Sequence, residues 1–252
     1  MIELRDITLA YGEHRLIEGA STRFECGKLT ALLGRNGTGK STLLRAIASL
    51  GDVASGEILI AGKSLAKISP RELSHHISFV NTERVDADTL SAHDLVAIGR
   101  SPYTDWLGRL SAEDEKIVTE AMRTAGIEHL ASRSVSTLSD GECQRVMIAR
   151  ALAQDTEAIL LDEPTSFLDL PNRYELCRLL RDLAHSRNKA IIFSTHELDI
   201  ALSLADSIAL VDTPHLVHLP TREMIASGSI ERLFTSEDIT FDPTTGSIHL
   251  LR

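Results

Sequence analysis

The chain has 252 residues, of which 43% are hydrophobic and 25% are charged. This length and composition indicate one large or two small globular domains, and exclude a collagen-like, coiled-coil or wholly disordered chain. Lys and Arg number 26 against 36 Asp and Glu, a formal net charge of −10. That balance argues against a sequence-independent nucleic-acid binder, because such a protein needs a basic face. The apolar runs are all far shorter than the roughly 20 residues that span a bilayer.

The N-terminal stretch, the cysteines and the histidine pairs add no special chemistry. Residues 1–6 lack a basic start followed by an apolar run, so no signal peptide is expected. The three cysteines are scattered and form no C-x-x-C pair, so we expect small core residues in a reducing compartment and no zinc site. His75-His76 and His215-x-x-His218 lack nearby acid or Cys partners, and we interpret them as solvated loop histidines.

Short apolar runs and segments of helical spacing alternate along the chain. In chain order, the predicted elements are the strands Ile2–Arg5 and Lys28–Leu33, the helix Ser41–Leu50, the strands Glu57–Ala61 and Ile77–Val80, the helices Asp94–Arg100, Ser111–Ala125 and Gly141–Gln154, the strand Ala158–Leu161, a helix opened by Pro171, and the strands Ala190–Phe193 and Ile208–Val211. The first strand alternates apolar and charged residues, as an exposed edge strand does. Together the pattern predicts a parallel sheet covered on both faces, interrupted by an all-helical insertion.

A phosphate-binding loop is predicted at residues 34–41. The sequence GRNGTGKS matches the full G-x-x-x-x-G-K-[ST] pattern, and it follows a predicted strand and opens a predicted helix. Glycines let backbone N–H groups surround phosphate oxygens, and the N-terminus of the next helix adds partial positive charge. We expect Lys40 to contact the β- and γ-phosphates and Ser41 to offer its hydroxyl to Mg²⁺. The motif predicts nucleotide binding.

Two acids, Asp162 and Glu163, follow an apolar strand. Ligands of α/β sheets bind at such strand ends. Asp162 is expected to hold Mg²⁺ through its water shell, and Glu163 to act as general base or to position the attacking water. Taken alone, the pair is also compatible with a strand that runs into a solvated acidic turn.

The segment Leu138–Glu142, with the sequence LSDGE, stands directly before a predicted helix and upstream of the acidic pair. Here the chain resembles the ATP-binding cassette (ABC) ATPases, whose signature at this place is L-S-G-G-Q. The resemblance implies that Ser139 and the helix N-terminus form an anion site for the γ-phosphate bound by a second copy. Asp140 and Glu142 depart from the signature, and we expect the Asp140 side chain to point away from the phosphate.

Further landmarks of this family follow in order. Residues 166–169 resemble the D-loop that crosses the dimer interface, and His196 resembles the switch histidine that contacts the γ-phosphate and orients water. Tyr11 resembles the aromatic residue that stacks on adenine, with a half-buried strand tyrosine as the alternative. The family's Q-loop glutamine is missing. Thr82 or Glu83 takes its place, and Glu83 is the better candidate to ligate Mg²⁺ or to contact the catalytic water.

The resemblance implies a P-loop NTPase fold with a RecA-like, mostly parallel sheet, an N-terminal antiparallel β subdomain and an inserted α-helical subdomain. We expect one cassette over residues 1–252, with a nucleotide-binding core at 1–88 and 158–214, a helical signature subdomain at 89–157 and a tail at 215–252. The candidate catalytic residues are Lys40, Glu163 and His196; those for ATP are Tyr11, Gly34, Arg35, Asn36, Gly37, Thr38, Gly39, Lys40, Ser41, Thr42, Ser139, Gly141 and Asp169; those for Mg²⁺ are Ser41, Glu83 and Asp162.

The stretch Ala97–Ser111 looks like the helical subdomain of ATPases that power import of iron–siderophore chelates, haem or cobalamin. The resemblance implies a homodimeric, cytoplasmic ATPase on the inner face of the membrane. It would bind a separate permease near Thr82, Glu83 and Ser101–Trp106, and no nucleic acid. Two alternatives stay open: a soluble, non-transport ABC ATPase, for example in cofactor assembly, and a regulatory module that binds ATP without hydrolysing it.

Overall fold

A computed structural model describes residues 1–12, 14–81, 88–235, 239–242 and 247–250. The strands are β1 (Ile2–Tyr11), β2 (His14–Phe24), β3 (Lys28–Leu33), β4 (Ser55–Ile60), β5 (Lys63–Ser64), β6 (Ile77–Val80), β7 (Ala158–Leu161), β8 (Ala190–Thr195), β9 (Ser207–Asp212), β10 (His215–Pro220), β11 (Ile239–Asp242) and β12 (Ser247–Leu250). The helices are α1 (Lys40–Ile47), α2 (Pro70–Leu73), α3 (Ala92–Ala97), α4 (Ala112–Thr124), α5 (Asp140–Ala153), α6 (Leu170–Ser186), α7 (Leu198–Leu204), α8 (Thr221–Ala226) and α9 (Ser229–Phe234). Among the helices of these described ranges, none is long and apolar enough to cross a bilayer.

The central sheet has six strands in the order β10-β9-β3-β8-β7-β6. All neighbours from β9 to β6 pair in parallel, and β10 joins the edge antiparallel to β9. Every residue of β7 and β8 is buried, as expected for parallel strands with helices on both faces. The order places β8 between β3 and β7, so the loops that follow these three strands meet at one edge of the sheet.

The second sheet is antiparallel, in the order β2-β1-β4-β5. The prediction that Ile2–Arg5 forms an exposed edge strand is wrong, because β1 pairs with β2 on one side and β4 on the other. Ile2 and Leu4 are buried in a core shared with α1 and the central sheet. Alternation reports that one face of a strand is covered, and it carries no information on whether both sides are paired.

Three helices of the insertion, α3, α4 and α5, begin with capping boxes formed by Ser91 and Asp94, Ser111 and Asp114, and Ser139 and Glu142. In each, the serine hydroxyl and the acid satisfy backbone N–H groups that the first helical turn leaves without partners. The predicted helix Asp94–Arg100 is shorter and earlier in the structure, since the chain tightens into a 3₁₀ turn at Ile98–Tyr103. These features confirm the predicted fold class.

A buried ion pair holds the helical region together internally. Arg100 Nε lies 2.8 Å from Asp114 Oδ1, and the two side chains are only 7% and 9% exposed. Arg100 Nη1 also donates to the carbonyl oxygen of Ala153 at 2.9 Å. The guanidinium therefore joins the start of α4 to the end of α5. Hydrogen bonds from Ser111 and the charge of Arg100 lower the pKa of Asp114 from 3.8 to about 2.

The prediction of solvated loop histidines is wrong for His215, which is exposed but begins β10, and for His218. His218 lies in β10 and is part-buried, not in a solvated loop. Its Nδ1 is 2.8 Å from Thr22 Oγ1, its Nε2 is 2.9 Å from Ser207 Oγ, and its ring stacks on Phe24. Burial lowers the pKa of His218 to about 4, so the neutral ring is a fixed polar link between β10 and the antiparallel sheet.

Candidate functional site

The predicted phosphate loop connects β3 to α1 in the required way. Gly37 and Gly39 adopt φ angles of 81° and 99°, a left-handed conformation that glycine reaches without strain. At Gly34 an added Cβ would lie 2.7 Å from the carbonyl oxygen of Val211, so β9 leaves no room for a side chain. The loop therefore needs glycine at these positions for both backbone conformation and space.

Lys40 is the buried cation of this loop, at 5% exposure. Its Nζ donates to the carbonyl oxygens of Gly34 and Arg35 at 2.9 and 3.0 Å. Burial lowers the pKa of Lys40, while the nearby carboxylates of Glu163 and Asp162 act in the opposite direction. An ammonium held this way is positioned to exchange carbonyl oxygens for phosphate oxygens.

The Asp162 carboxylate accepts hydrogen bonds from hydroxyl groups of two other segments. Its Oδ1 accepts from Ser41 Oγ at 2.8 Å and from Ser194 Oγ at 2.7 Å. Carboxylate and hydroxyl oxygens are hard ligands of the kind that Mg²⁺ accepts, directly or through water. The pair Ser41 and Asp162 therefore fits the predicted metal site. Ser194 precedes His196 by two residues, and no role was predicted for it.

Glu163 has a strained backbone, with φ at 43°. Its N–H donates to Ser194 Oγ at 2.8 Å, and its carboxylate Oε1 lies 3.6 Å from His196 Nδ1. A positive φ in a glutamate is costly, and such strain concentrates at functional sites. Here it accompanies a carboxylate that is 29% exposed and lines the cavity beside Lys40. The predicted partners Glu163 and His196 are thus close together.

The phosphate loop borders an open cavity of about 630 Å³, which is lined by Tyr11, His14, Leu16, Asn36, Gly37, Gly39, Lys40, Ser41, Thr42 and Glu163. Tyr11 ends β1 with 79% of its surface exposed, so it is not a half-buried strand tyrosine. His14 and Leu16 were not predicted. They enter the site because β2 pairs with β1 in a hairpin, and Leu16 Cβ lies 2.9 Å from where a Cβ on Gly39 would stand.

Other predicted residues lie outside this lining. Arg35 turns its guanidinium to the carbonyl of Leu233 in α9. Thr38 Oγ1 closes the loop on the carbonyl of Arg35 at 2.9 Å. Asp169 Oδ1 accepts from the backbone N–H of Asn172 at 3.2 Å, so Asp169 caps α6.

The signature segment has its own local structure. Ser139 Oγ accepts from the backbone N–H of Glu142 at 3.3 Å, and the Ser139 N–H donates to Glu142 Oε2 at 2.8 Å. Arg133 Nη1 lies 3.2 Å from Glu142 Oε1. Glu142 thus completes a capping box at the position where the signature pattern has Gln. Ser139 and Gly141 do not line the cavity of the phosphate loop, whereas Thr82 and Glu83 lie outside the described residues.

Comparison with known proteins identifies the family of the chain. The sequence pattern of the ABC transporter family matches residues 17–166, which run from β2 through the phosphate loop and the signature to the acidic pair. The chain belongs to the ABC transporter family. ATP-binding proteins of this family are ATPases, so this ABC ATPase is an enzyme, as its sequence predicted.

Curated relatives match most of the ABC ATPase. An uncharacterized ABC transporter ATP-binding protein of Methanocaldococcus jannaschii is 41% identical over 211 residues, which cover 84% of this chain and 73% of that protein. The achromobactin transport ATP-binding protein of Dickeya dadantii is 37% identical over 228 residues, covering 90% of this chain and 82% of that protein.

Solved structures agree with the fold. A transporter assigned to the metal-chelate type, in an inward-facing conformation, superposes with a TM-score of 0.82 at 29% identity, covering 92% of this chain and 88% of that one. A dimeric bacterial ABC transporter cassette superposes with a TM-score of 0.76 at 27% identity, covering 88% and 99% of the two chains. These matches confirm the predicted P-loop fold of the ABC ATPase.

Proposed function

We propose that the chain is the ATP-hydrolysing subunit of an importer for an iron chelate, haem or a cobalamin-like molecule. One observation carries the mechanism: the phosphate loop and Glu163 line one cavity and Asp162 accepts a hydrogen bond from Ser41 of that lining, while Ser139 and Gly141 lie outside it. The substrate class is supported by relatives such as the achromobactin transport protein. The ATPase would bind to the inner face of the membrane through a separate permease.

In this proposal, catalysis is mostly positioning and charge stabilisation. Lys40 and the N–H groups of the loop bind the phosphates of ATP, and Tyr11 stacks on the adenine. Ser41 and Asp162 hold Mg²⁺, which supplies charge neutralisation at the phosphates when bound. Glu163 accepts the proton of the attacking water, and His196, 3.6 Å from Glu163 Oε1, orients that water against the γ-phosphate.

Two copies would close head to tail around two ATP molecules. In such a dimer, Ser139 and the N-terminus of α5 from one copy bind the γ-phosphate held by the other. The exposed N-terminal position of Ser139 and the similar dimeric cassette support this arrangement. Phe167 and Leu170, exposed at 71% and 58% near the D-loop, add apolar surface that a second copy would cover.

The permease would bind in an apolar groove of about 500 Å³ that includes Leu50, Phe79, Ile98 and Pro102 in its lining. The neighbouring loop exposes 90% of Trp106, within the Ser101–Trp106 segment predicted to contact the membrane protein. Large apolar side chains exposed around a groove are typical of sites that receive a partner helix. A short cytoplasmic helix of the permease fits this shape.

The test is the substitution Glu163→Gln in the purified chain. We expect phosphate release to fall by about a thousandfold, because the general base is removed, while ATP binding persists and ATP-dependent dimers accumulate in light scattering. Glu157→Gln is the matched control, since Glu157 is 57% exposed at the far end of the same strand. Undiminished hydrolysis by Glu163→Gln would contradict the assigned base.

Transport is tested in the source cells by deleting the gene and measuring uptake of siderophore-bound radioactive iron, haem and labelled cobalamin. Loss of one of these uptakes, restored by the wild-type gene and not by the Glu163→Gln gene, supports the importer. Normal uptake of all three would instead favour a soluble ABC ATPase with a non-transport role.

A further inference from the structure

Arg173 lies where three functional segments of the ATPase meet. It occupies the first turn of α6, and its backbone N–H donates to the carbonyl of Asp169 at 3.0 Å. Its side chain is 31% exposed and points back toward the loop between β7 and α6. One edge of its guanidinium contacts this loop, and another edge contacts the segment that follows β8.

The first contact fixes the D-loop. Arg173 Nε donates to the carbonyl oxygen of Leu168 at 2.6 Å. The Leu168 side chain is 8% exposed, and its Cδ2 lies 3.4 Å from the place where a Cβ on Gly141 would stand. Leu168 therefore rests directly on the backbone of the signature helix. A displacement of the Leu168 backbone is transmitted by contact to the start of α5.

The second contact of Arg173 fixes the segment after β8, which contains His196. Arg173 Nη1 lies 3.0 Å from Oε1 of Glu197, the residue after His196, and the Glu197 side chain is only 11% exposed. The same Oε1 accepts from Thr165 Oγ1 at 3.4 Å. The Glu197 backbone N–H donates to Thr195 Oγ1 at 3.0 Å. The carboxylate thus anchors the segment after β8 to the loop after β7.

We propose that Arg173 and Glu197 are positioning residues that couple the two ATP sites of the dimer. The pair joins His196, which acts on the ATP bound by its own copy, to the segment of Gly141, which acts on the ATP bound by the other. This inference rests on the proposed head-to-tail dimer. When His196 moves against a γ-phosphate, Glu197 pulls Arg173, and Leu168 transmits the shift to the signature of the same copy.

The chemistry of the guanidinium separates this role from a simple structural ion pair. Arginine presents several donors in a rigid fork, so one side chain binds the Glu197 carboxylate and the Leu168 carbonyl together. Lysine keeps the positive charge as a single point and cannot reproduce both fixed directions. Arg173→Lys is therefore expected to retain the charge pair and the fold, but to lose the link between the segments.

The experiment measures ATP hydrolysis against ATP concentration for wild-type protein, Arg173→Lys, Arg173→Gln and Glu197→Gln. We expect each variant to lower kcat about tenfold with KM nearly unchanged, and the Hill coefficient to fall from near two toward one. Melting temperature and ATP binding should stay at the wild-type values for Arg173→Lys and Glu197→Gln. Combining Arg173→Gln with Glu197→Gln should cost no more than either change alone.

Arg178→Gln is the matched control, because Arg178 lies on the same helix in an exposed pair with Asp182, at 4.0 Å. It should hydrolyse ATP as the wild type does. Wild-type kcat and Hill coefficient in both Arg173→Lys and Glu197→Gln would overturn the coupling role and leave the proposed function intact. Absence of ATP-dependent dimers in the Glu163→Gln protein would instead overturn the dimer, and this inference with it.

Discussion

Two serines expected to take part in phosphate chemistry lie in opposite settings. Ser41 donates at 2.8 Å to Asp162, a residue distant in the chain, inside the cavity of the phosphate loop. Ser139 shares its hydrogen bonds with Glu142, three residues further along the same helix. The tertiary fold of one copy brings Ser41 and Asp162 together. The Ser139 side is a local cap exposed at the surface, and in the proposed dimer it would become part of a site only when a second copy approaches.

The same contrast holds for the surrounding structure. On the core side, the ends of three adjacent parallel strands bring Lys40, Asp162 and His196 to one sheet edge. On the helical side, Arg100 and Asp114 hold α4 and α5 together without any strand. The sheet positions the functional side chains of the first region, whereas a buried ion pair supports the helices of the second region.

The largest expected effect comes from separating the two halves of the composite site. Lys40→Ala removes the phosphate cation and Ser139→Ala removes the signature hydroxyl, and each homodimer should lose activity by about a hundredfold or more. A mixed dimer retains one intact site, made from the loop of one protein and the signature of the other. An equal mixture should therefore recover at most about a quarter of the wild-type phosphate release, since half of the dimers are mixed, and less than that if coupling to the second site is needed for full turnover.

The control for the lost helix cap is Ser91→Ala, which removes the same kind of capping box from α3. That variant should lose about 1 kcal/mol of stability and keep its hydrolysis rate. If the mixture of Lys40→Ala and Ser139→Ala shows no more activity than the two proteins measured separately, the phosphate loop of one copy and Ser139 of the other do not form one site.

The second effect concerns the buried ion pair between Arg100 and Asp114 in the helical region. Asp114→Asn leaves Arg100 without its buried carboxylate and should lower the free energy of unfolding by about 3 kcal/mol near neutral pH. The pKa of Asp114 is lowered to about 2 by Ser111 and Arg100. The carboxylate therefore contributes its full stability above about pH 4, and the contribution is lost as the pH falls toward 2.

Urea unfolding at several pH values measures this contribution. The difference between wild type and Asp114→Asn should shrink steadily below pH 4. Asp182→Asn is the control, since its pair with Arg178 is exposed and should contribute less than about 0.5 kcal/mol. A difference between wild type and Asp114→Asn that does not change with pH would exclude the ionised carboxylate as its source.

Of the two regions, the sequence predicted the sheet edge with the phosphate loop better than the helical region. The phosphate loop and the acidic pair are contiguous motifs whose strand and helix context is also local, so their position at one edge of the sheet could be predicted, and their roles stay predictions. Ser194 and Leu16 were missed as site residues because only the order of β8 and the pairing of β2 bring them there. His218 was misplaced for the same reason: β10 joins the sheet edge by pairing with β9, and no strand was predicted at residues 215–220.

The smallest expected effect concerns Glu142, one of the two residues that depart from the family signature. Glutamine also completes a capping box with serine, so Glu142→Gln should keep α5 intact and lose only the exposed pair with Arg133, about 0.5 kcal/mol. In the proposed dimer, Glu142 would lie near the phosphate bound by the second copy, so its loss as a carboxylate should lower the KM for ATP by up to about twofold. Glu142→Ala, which removes the reciprocal cap, should cost about 1 kcal/mol.

Melting curves and ATP titrations of the two Glu142 variants provide the comparison. A Gln variant as unstable as the Ala variant would mean that the charge of Glu142, and not its reach to the Ser139 N–H at 2.8 Å, holds the start of α5. The expected order, wild type followed closely by Gln and then by Ala, would instead assign this end of the helix to local hydrogen bonding. The signature would then tolerate Glu because the cap needs an acceptor rather than a charge.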